Sequence, residues 1–506
     1  MSRTSRIISS VSLGYVSIVI TTLVGLWFTP FLLHHIGERN FGLWAVATPV
    51  LTYLGLADFG VIAILQRDVA FALGSADGDL TRADALPAII GKTKRLVFLQ
   101  VPPLCVAAVL GWSLIPRDWS GLRAPLAIVL FALVLCFPLR VYHAVLVGLQ
   151  DLAFLARLSL ASWAVGIVVG VTLVSLGHGL YGLAAAWAST QLVLCSTCYV
   201  RVRRRFPRVL AAAPPSLTRE DALARLRKGF WVILTQVASM LLSGTDLLIL
   251  GAILGPLAVV PYSITAKLAM IFSTLPEILF ATAQPALSEL KSSSQRGRLP
   301  QICSALTEAA LLVGGLLACV VVAVNHGFVS WWVGEHEFAG TQIVLFLAVH
   351  MVLRTWSMAS TYALFSFGYE RRISITAIAN GVVTLAASVI LVKLLGRSGA
   401  PLAGIFGMLL VVVPSNLAAL ALETEAPVSA LLRPLFGWAW RFVLAFGSLA
   451  LLARAWTPRT FLTLAAMTIA TCVAYGVIMQ PLAFRGTLGI YVRPRAKALW
   501  ASLAAR

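Results

Sequence analysis

The chain has 506 residues, 59% of them hydrophobic and 11% charged, with a net charge of +20 and a mean hydropathy of +0.92. A soluble domain carries about 25% charged residues, so this composition excludes a soluble globular protein and implies an all-α polytopic membrane protein. The cationic excess is better explained by loops held on the cytoplasmic face than by a nucleic-acid partner, because no soluble domain surrounds the charges.

In chain order, fourteen apolar segments reach roughly spanning length. They cover 11–33, 41–64, 96–115, 124–147, 157–176, 180–199, 229–253, 257–284, 305–325, 340–366, 373–395, 400–422, 438–457 and 459–484. The first is long enough to span and no small-residue cleavage site follows it, so it reads as a retained helix rather than a removable signal. Between the sixth and seventh lies Arg201 to Lys228, which holds nine of the 39 Lys and Arg residues. It divides the chain into a six-helix lobe (1–200), a basic cytoplasmic linker (201–228), a second six-helix lobe (229–422) and two extra helices with a basic tail (423–506). With the N-terminus inside, the inner segments carry 28 of the Lys and Arg residues and the outer loops six. That asymmetry places both termini in the cytoplasm.

Two loops stand out. The inner segment 65–95 has apolar Leu86, Ile89 and Ile90 between charges, which suits an interfacial helix. The longest outer loop, Asn325 to Gly340, contains Trp331 and Trp332, as an aromatic belt would. Prolines within spans (Pro30, Pro49, Pro102, Pro103, Pro138, Pro261, Pro276, Pro414) predict kinks. The cysteines lie within or at the ends of spans. Cys195 and Cys198 form a Cys-x-x-Cys without a second pair, so packing is expected and no metal or cofactor is implied. Asp58-Phe59-Gly60 spells a kinase magnesium triplet, but it lacks the accompanying loops and ends a span.

The halves echo each other. Ile36-Gly37 through Leu43-Trp44 enters the second span, and Leu254-Gly255 through Val260-Pro261-Tyr262 enters the eighth. Gly37 matches Gly255 and Trp44 matches Tyr262, an offset of 218 residues. Six spans separate the two, so the repeats would be parallel, related by an axis along the membrane normal.

A charge near the bilayer centre costs about 2.5–3.5 kcal/mol on insertion scales, so each one needs a reason. Lys393 and Arg441 fall at helix ends, where long side chains snorkel, and Glu308 is near an inner end. Three cations are deeper: Arg140, Lys267 and Arg354. Arg140 shares a helix face with His143, and Arg354 shares one with His350. Polar stripes extend through Ser357 and Thr361, through Ser263, Lys267, Thr274 and Glu277, and through Thr235, Ser239, Ser243 and Asp246. Such stripes line either a water-filled cavity or a polar seam between helices. In a cavity, Arg140, Lys267, Arg354, His143 and His350 would bind an anion, best a phosphate or pyrophosphate, since guanidinium forks match its oxygens. In a seam, Arg140 or Arg354 would pair with a carboxylate such as Asp246 or Glu277. Asp246, Glu277 and Asp58 are also candidates for coupling transport to protons or sodium.

The run Pro30-Phe31-Leu32-Leu33, Ile36-Gly37-Glu38-Arg39-Asn40-Phe41-Gly42-Leu43-Trp44, then Tyr53-Leu54, Leu56-Ala57-Asp58-Phe59-Gly60 and Arg67, resembles the polysaccharide flippases. These are the O-antigen and teichoic-acid export proteins of the multidrug/oligosaccharidyl-lipid/polysaccharide exporter superfamily. The local match covers about forty residues, and the fourteen-span plan extends it over the chain. The resemblance implies two pseudo-symmetric six-helix lobes around a central cavity, two added C-terminal helices, and alternating access by lobe rocking. It implies an undecaprenyl-pyrophosphate-linked oligosaccharide as cargo, membrane lipid around the tail, and a polymerase or chain-length machinery as partner. It also implies a multi-pass protein of the cytoplasmic (inner) membrane in lipopolysaccharide, O-antigen or exopolysaccharide synthesis, and no enzyme activity. Two other classes compete. A drug or organic-cation antiporter of the same superfamily calls for an acidic cavity. A membrane polymerase or glycosyltransferase calls for a large outer loop or a nucleotide-sugar domain.

Overall fold

The computed structural model describes residues 3–54, 58–75, 84–210, 217–241, 244–292, 296–490 and 493. Among these the chain is helical throughout, without strands. The chain divides into two compact units, Met1–Val237 and Ala238–Arg506.

The first unit holds α1 (Arg3–Leu54), α2 (Val61–Ser75), α3 (Ala85–Ser113), α4 (Ser120–Cys136), α5 (Arg140–Gly148), α6 (Leu152–Ser175) and α7 (Gly179–Arg205). The division between units falls inside α8 (Arg219–Leu241). The second unit continues with α9 (Thr245–Leu254), α10 (Pro256–Ser292), α11 (Leu299–Trp332), α12 (Thr341–Ser366), α13 (Glu370–Leu395), α14 (Gly399–Gly407), α15 (Val413–Thr424), α16 (Val428–Ala455) and α17 (Phe461–Arg485).

Among the described residues, each of the fourteen apolar segments falls mainly on helix, and eleven stretches are long and apolar enough to cross a membrane. The two counts differ for local reasons. The first segment and the start of the second run on as α1, across a break at Gly37. The eleventh and twelfth run on through short 3-10 and π turns from Glu370 to Thr424. The seventh is split into α8 and the ten-residue α9.

The internal repeat is visible in backbone angles. Gly37 has φ 77° and ψ 161°, and Gly255 has φ 87° and ψ 163°. Both lie in a region that only glycine enters freely. The same 218-residue offset joins Gln150 (φ 58°) to Gly368 (φ 83°), each at the tight turn between two helices. Each unit therefore bends at matching points, which the match of Gly37 to Gly255 anticipated.

Proline breaks the helices where expected at two sites. Pro138 sits in a 3-10 turn between α4 and α5. Pro414 lies at the start of α15, just after a π turn at Met408–Val412. Pro102 and Pro103 stay inside α3, whose helix runs through them. Helices also approach closely through glycine, as packing in lipid favours. A Cβ on Gly170 would meet Ala186 at 3.1 Å, and one on Gly182 would meet Val174 and Leu173.

Two readings of loops are corrected. Leu86 and Ile90 are 1% and 2% exposed, packed in the core of the first unit with Leu65, Phe137 and Leu146. They belong to α3, which begins at Ala85, rather than to a separate interfacial helix. The outer loop at Asn325 is shorter than expected, because α11 continues to Trp332. Asn325 is fully buried and its amide donates to the Thr265 carbonyl at 3.0 Å, so a polar residue inside a span was mistaken for a loop start. The basic stretch is held at both ends. Arg201 pairs with Asp151 at 2.9 Å, Lys92 with Asp221 at 2.8 Å and Arg225 with Asp68 at 3.6 Å. These contacts tie its two ends to the first unit, while Arg203, Arg204, Arg205 and Arg208 are exposed.

In the second unit α11 is the hub. Ala310, Leu311, Ala318 and Val321 are fully buried, and α10, α12, α16 and α17 pack around them. Tyr475 on α17 accepts from the Trp438 indole on α16 at 3.1 Å and donates to the Leu311 carbonyl at 3.4 Å. Glu308 on α11 accepts from the backbone N–H groups of Thr487 and Leu488, at 3.2 and 2.7 Å. The α13–α15 region is tied by Arg372 to the Ser415 carbonyl (3.1 Å), Thr376 to Ser415 (2.8 Å), Asn416 to Thr361 (3.2 Å) and Tyr369 to Glu423 (3.0 Å).

Candidate functional site: a polar cavity in the second unit

A cavity of about 550 Å³ lies among α9, α10, α12, α13 and α14. Its polar wall is built from Thr245 and Asp246 on α9, Tyr262, Ser273 and Thr274 on α10, and His350 and Arg354 on α12. Asn380, Thr384 and Ser388 on α13 complete it. The remaining wall is apolar, including Ile249, Leu347, Met351 and Met408. A mostly apolar concavity with a few convergent polar groups is the usual form of a small-molecule site.

Each element supplies its residues by helical spacing. His350 and Arg354 are one turn apart on α12, so both reach the same space. Asn380, Thr384 and Ser388 follow the same four-residue step along α13. The α14 side of the cavity is kept open by absent side chains. A Cβ on Gly404 would come within 2.9 Å of the His350 Nε2, and one on Gly407 would collide with Thr384 and Asn380.

The charges are handled unequally. Asp246 is half-buried in the first turn of α9, where a carboxylate suits the helix dipole. It accepts the Tyr262 hydroxyl at 2.7 Å and the Leu247 N–H at 3.0 Å. Tyr262 is 1% exposed, so its hydroxyl depends on that bond. Arg354 is half-buried and has no hydrogen-bond or ion-pair partner among the described residues. The seam reading for Arg354 needed Asp246 or Glu277 as partner, but Asp246 is engaged by Tyr262 and Glu277 accepts from Tyr362 at 3.4 Å.

The other expected residues lie elsewhere. Lys267 follows Ala266 of the cavity wall but does not line it, and it too has no hydrogen-bond or ion-pair partner among the described residues. Glu277 is exposed, one turn beyond Thr274. Ser357 is buried, and Thr361 accepts from Asn416, so this part of the α12 stripe makes a polar seam rather than cavity wall. Ser243 and the side chains of Thr235 and Ser239 lie outside the described residues.

Arg140, His143 and Asp58 belong to the first unit. Asp58 is 4% exposed and caps α2, accepting the Ile62 N–H at 3.0 Å. The Gln100 amide donates to the Asp58 carbonyl at 3.3 Å. Arg140 begins α5, directly after the Pro138 turn, and lies close enough for its charge to act on both Asp58 and His143. Of the five expected cationic residues, His350 and Arg354 line this cavity, Lys267 does not, and Arg140 and His143 belong to the first unit. Cys195 and Cys198 are buried free thiols, as packing predicts.

Sequence reasoning missed Asn380, Thr384, Ser388 and the two α14 glycines. Their only local signal is the four-residue polar step on α13 and Gly404-x-x-Gly407 on α14.

A family model described as "Polysaccharide biosynthesis protein" matches residues 120–300. No curated protein matches the chain. Among solved structures, the chain is similar to the lipid II flippase MurJ in an inward closed conformation, with 12% identity and a TM-score of 0.62. That similarity covers 92% of this chain and 99% of the other. It is also similar to a MATE protein in complex with MaD3S, with 16% identity, TM-score 0.52 and coverage of 84% and 96%. The eukaryotic MATE transporter AtDTX14 follows, with 14% identity, TM-score 0.51 and coverage of 88% and 97%. At these identities the likeness shows the fold alone: an all-helical, multi-pass fold shared with the MurJ and MATE structures. The resemblance read from residues 30–67 is borne out at that level, and the family match falls on a different part of the chain from the residues that carried it.

Proposed function

We propose that this chain is a flippase of the cytoplasmic membrane. Its cargo is an undecaprenyl-pyrophosphate-linked oligosaccharide repeat unit, moved by alternating access for surface polysaccharide synthesis. The observation that carries this reading is Arg354, without a hydrogen-bond or ion-pair partner among the described residues, beside His350 in the wall of the second unit's cavity. A guanidinium withdrawn from water without a counter-charge is costly. An anionic ligand offsets that cost, and a phosphate oxygen pair fits the guanidinium fork. The hydroxyl and amide groups of Thr245, Asn380, Thr384 and Ser388 suit the sugar side of such a ligand, since they can both donate and accept. The match to a polysaccharide-biosynthesis family supports the cargo class, and the MurJ-like fold supports lipid-linked transport. Lys267, Arg140 and His143 are proposed as further cationic contacts along the path, and Asp246, Glu277 and Asp58 as coupling candidates.

One observation favours a second reading. Asp246 places a carboxylate in the same cavity, and MATE proteins share the fold, so an organic-cation antiporter would use Asp246 where a flippase uses Arg354.

The test is the lipid-linked oligosaccharide pool and surface polysaccharide in cells carrying Arg354→Ala, Arg354→Lys, Arg140→Ala or Lys267→Ala at matched protein levels. A charge-assisted hydrogen bond is worth about 1.5–3 kcal/mol, so Arg354→Ala lowers export roughly 10- to 150-fold. Lysine restores part of it, because the charge remains and the fork is lost. Normal export in all variants overturns the assignment. Loss of organic-cation efflux in Asp246→Asn, with normal polysaccharide, establishes the antiporter instead.

A further inference from the structure

A second cavity, of about 210 Å³, lies in the first unit between the second half of α1, the end of α3 and the start of α4. Val46, Ala108, Ile115, Leu122 and Leu126 are among its lining residues, with Trp112 and Trp119 beside them. The lining is apolar throughout, so water has no partners there. An apolar cavity of about 150 Å³ already stays dry and accepts a hydrocarbon. Leu114 is 80% exposed and Val50 is 37% exposed, so the cavity is flanked by apolar surface that faces lipid.

The rim is charged and incompletely satisfied. Arg123 donates to the carbonyl of Ile115 at 2.8 Å, and the Trp112 indole donates to the Arg123 carbonyl at 2.9 Å; both partners line the cavity. The Arg123 Nε is buried and has no partner. A buried donor left unmade costs about 1–3 kcal/mol, more on a charged group. Arg39 bonds the Asp118 carbonyl at 3.2 Å, and Arg117 is exposed next to it. Arg39, Arg117 and Arg123 thus lie along the short stretch around Asp118 that closes this end of the slot. An apolar slot beside an under-satisfied guanidinium matches a molecule with a hydrocarbon chain and an anionic head.

We propose that this is a binding site for an anionic phospholipid, with part of one acyl chain in the slot and its phosphate on Arg123, aided by Arg117 and Arg39. The narrow volume favours a straight acyl chain over a methyl-branched polyprenyl chain. The site is independent of the cargo cavity and does not rest on the flippase reading.

The slot can be plugged without forcing the fold. A Cβ on Gly111, in the cavity wall, meets nothing within 4 Å. Gly111→Leu therefore adds a side chain at the slot wall without a clash, and leucine is the better helix former. The experiment is native mass spectrometry of the full chain in mild detergent, titrated with phosphatidylglycerol, phosphatidylcholine or undecaprenyl phosphate. Wild type retains phosphatidylglycerol preferentially. Gly111→Leu, and Ala107→Leu as a second plug, weaken the tightest phosphatidylglycerol site about tenfold, equivalent to about 1.4 kcal/mol, with unchanged melting temperature. Arg123→Gln leaves chain binding but brings phosphatidylglycerol and phosphatidylcholine to similar affinity. Unaltered phosphatidylglycerol binding in both folded plug variants overturns the proposal, as does undecaprenyl phosphate displacing phosphatidylglycerol from wild type at lower concentration.

Discussion

Replacing Gly37 or Gly255 by alanine tests the bent-corner architecture through the sign of its effect. If α1 were a continuous helix through Gly37, alanine would stabilise it by roughly 0.8–1 kcal/mol, because glycine is the poorer helix former. The observed angles (77° and 161°, 87° and 163°) lead to the opposite expectation. Alanine in that region costs about 1–3 kcal/mol. Crowding adds nothing, since a Cβ at either position meets no atom within 4 Å. The two costs should be nearly equal, because the two corners share one backbone conformation. The assay is reversible unfolding of purified protein in mixed micelles, followed by helicity, with steady-state folded protein in cells as a second readout. A loss of 1–3 kcal/mol lowers the folded-to-unfolded ratio by roughly 5- to 150-fold. Stabilisation by either alanine, or costs differing by more than about 2 kcal/mol, would refute the shared corner.

Three further outcomes follow from side-chain geometry. Glu308→Ala orphans the Thr487 and Leu488 N–H groups, at about 1–3 kcal/mol per donor where they stay buried. Protease cleavage beyond Arg485 should rise while cleavage elsewhere is unchanged. Gly404→Ala displaces the tip of the His350 ring, the far end of a side chain, so melting should shift little while export falls. The hydrogen bonds from Lys92, then Thr218, hold the Asp221 carboxyl below its ordinary value of 3.8. Its contribution is therefore present above pH 3.8 and is lost as pH falls through the lower folded-state value. Asp221→Asn should remove that acid limb from the stability profile of the first unit without changing its slope above pH 5.

Much of the fold was legible because hydropathy reports what lipid must accept. The fourteen apolar segments all mark helices, and Gly37 and Gly255 mark corners since no other residue adopts those angles without strain. Helix extent was less legible. α3, α7 and α8 run past their apolar runs into charged sequence, where Lys92, Arg201 and Arg225 find carboxylates on other elements. The candidate site was read in part. The four-residue spacing brought His350 and Arg354 to one wall, but the same rule could not tell that the charge of Arg140 acts on Asp58. Nor could it show that Lys267 lies off the cavity wall. Contacts such as that of Glu308 with Leu488 join residues far apart in sequence, for which local pattern carries no signal.

The π turn at Met408–Val412 acts as a phase shifter within one transmembrane helix. Upstream, α14 must present Gly404 and Gly407 to the His350 and Asn380 side of the cavity. Downstream, α15 must present Ser415, Asn416 and Glu423 to α12, α13 and Tyr369. An unbroken α-helix advances about 100° per residue, and the wider turn supplies the angular correction between those two azimuths. Deleting a single residue between 408 and 412 would leave α14 in place and swing α15 by about 100°, unlocking all three contacts together. The two faces of this helix are thus set by a counting relation rather than by any one side chain. Insertions and deletions there should be far more damaging than substitutions.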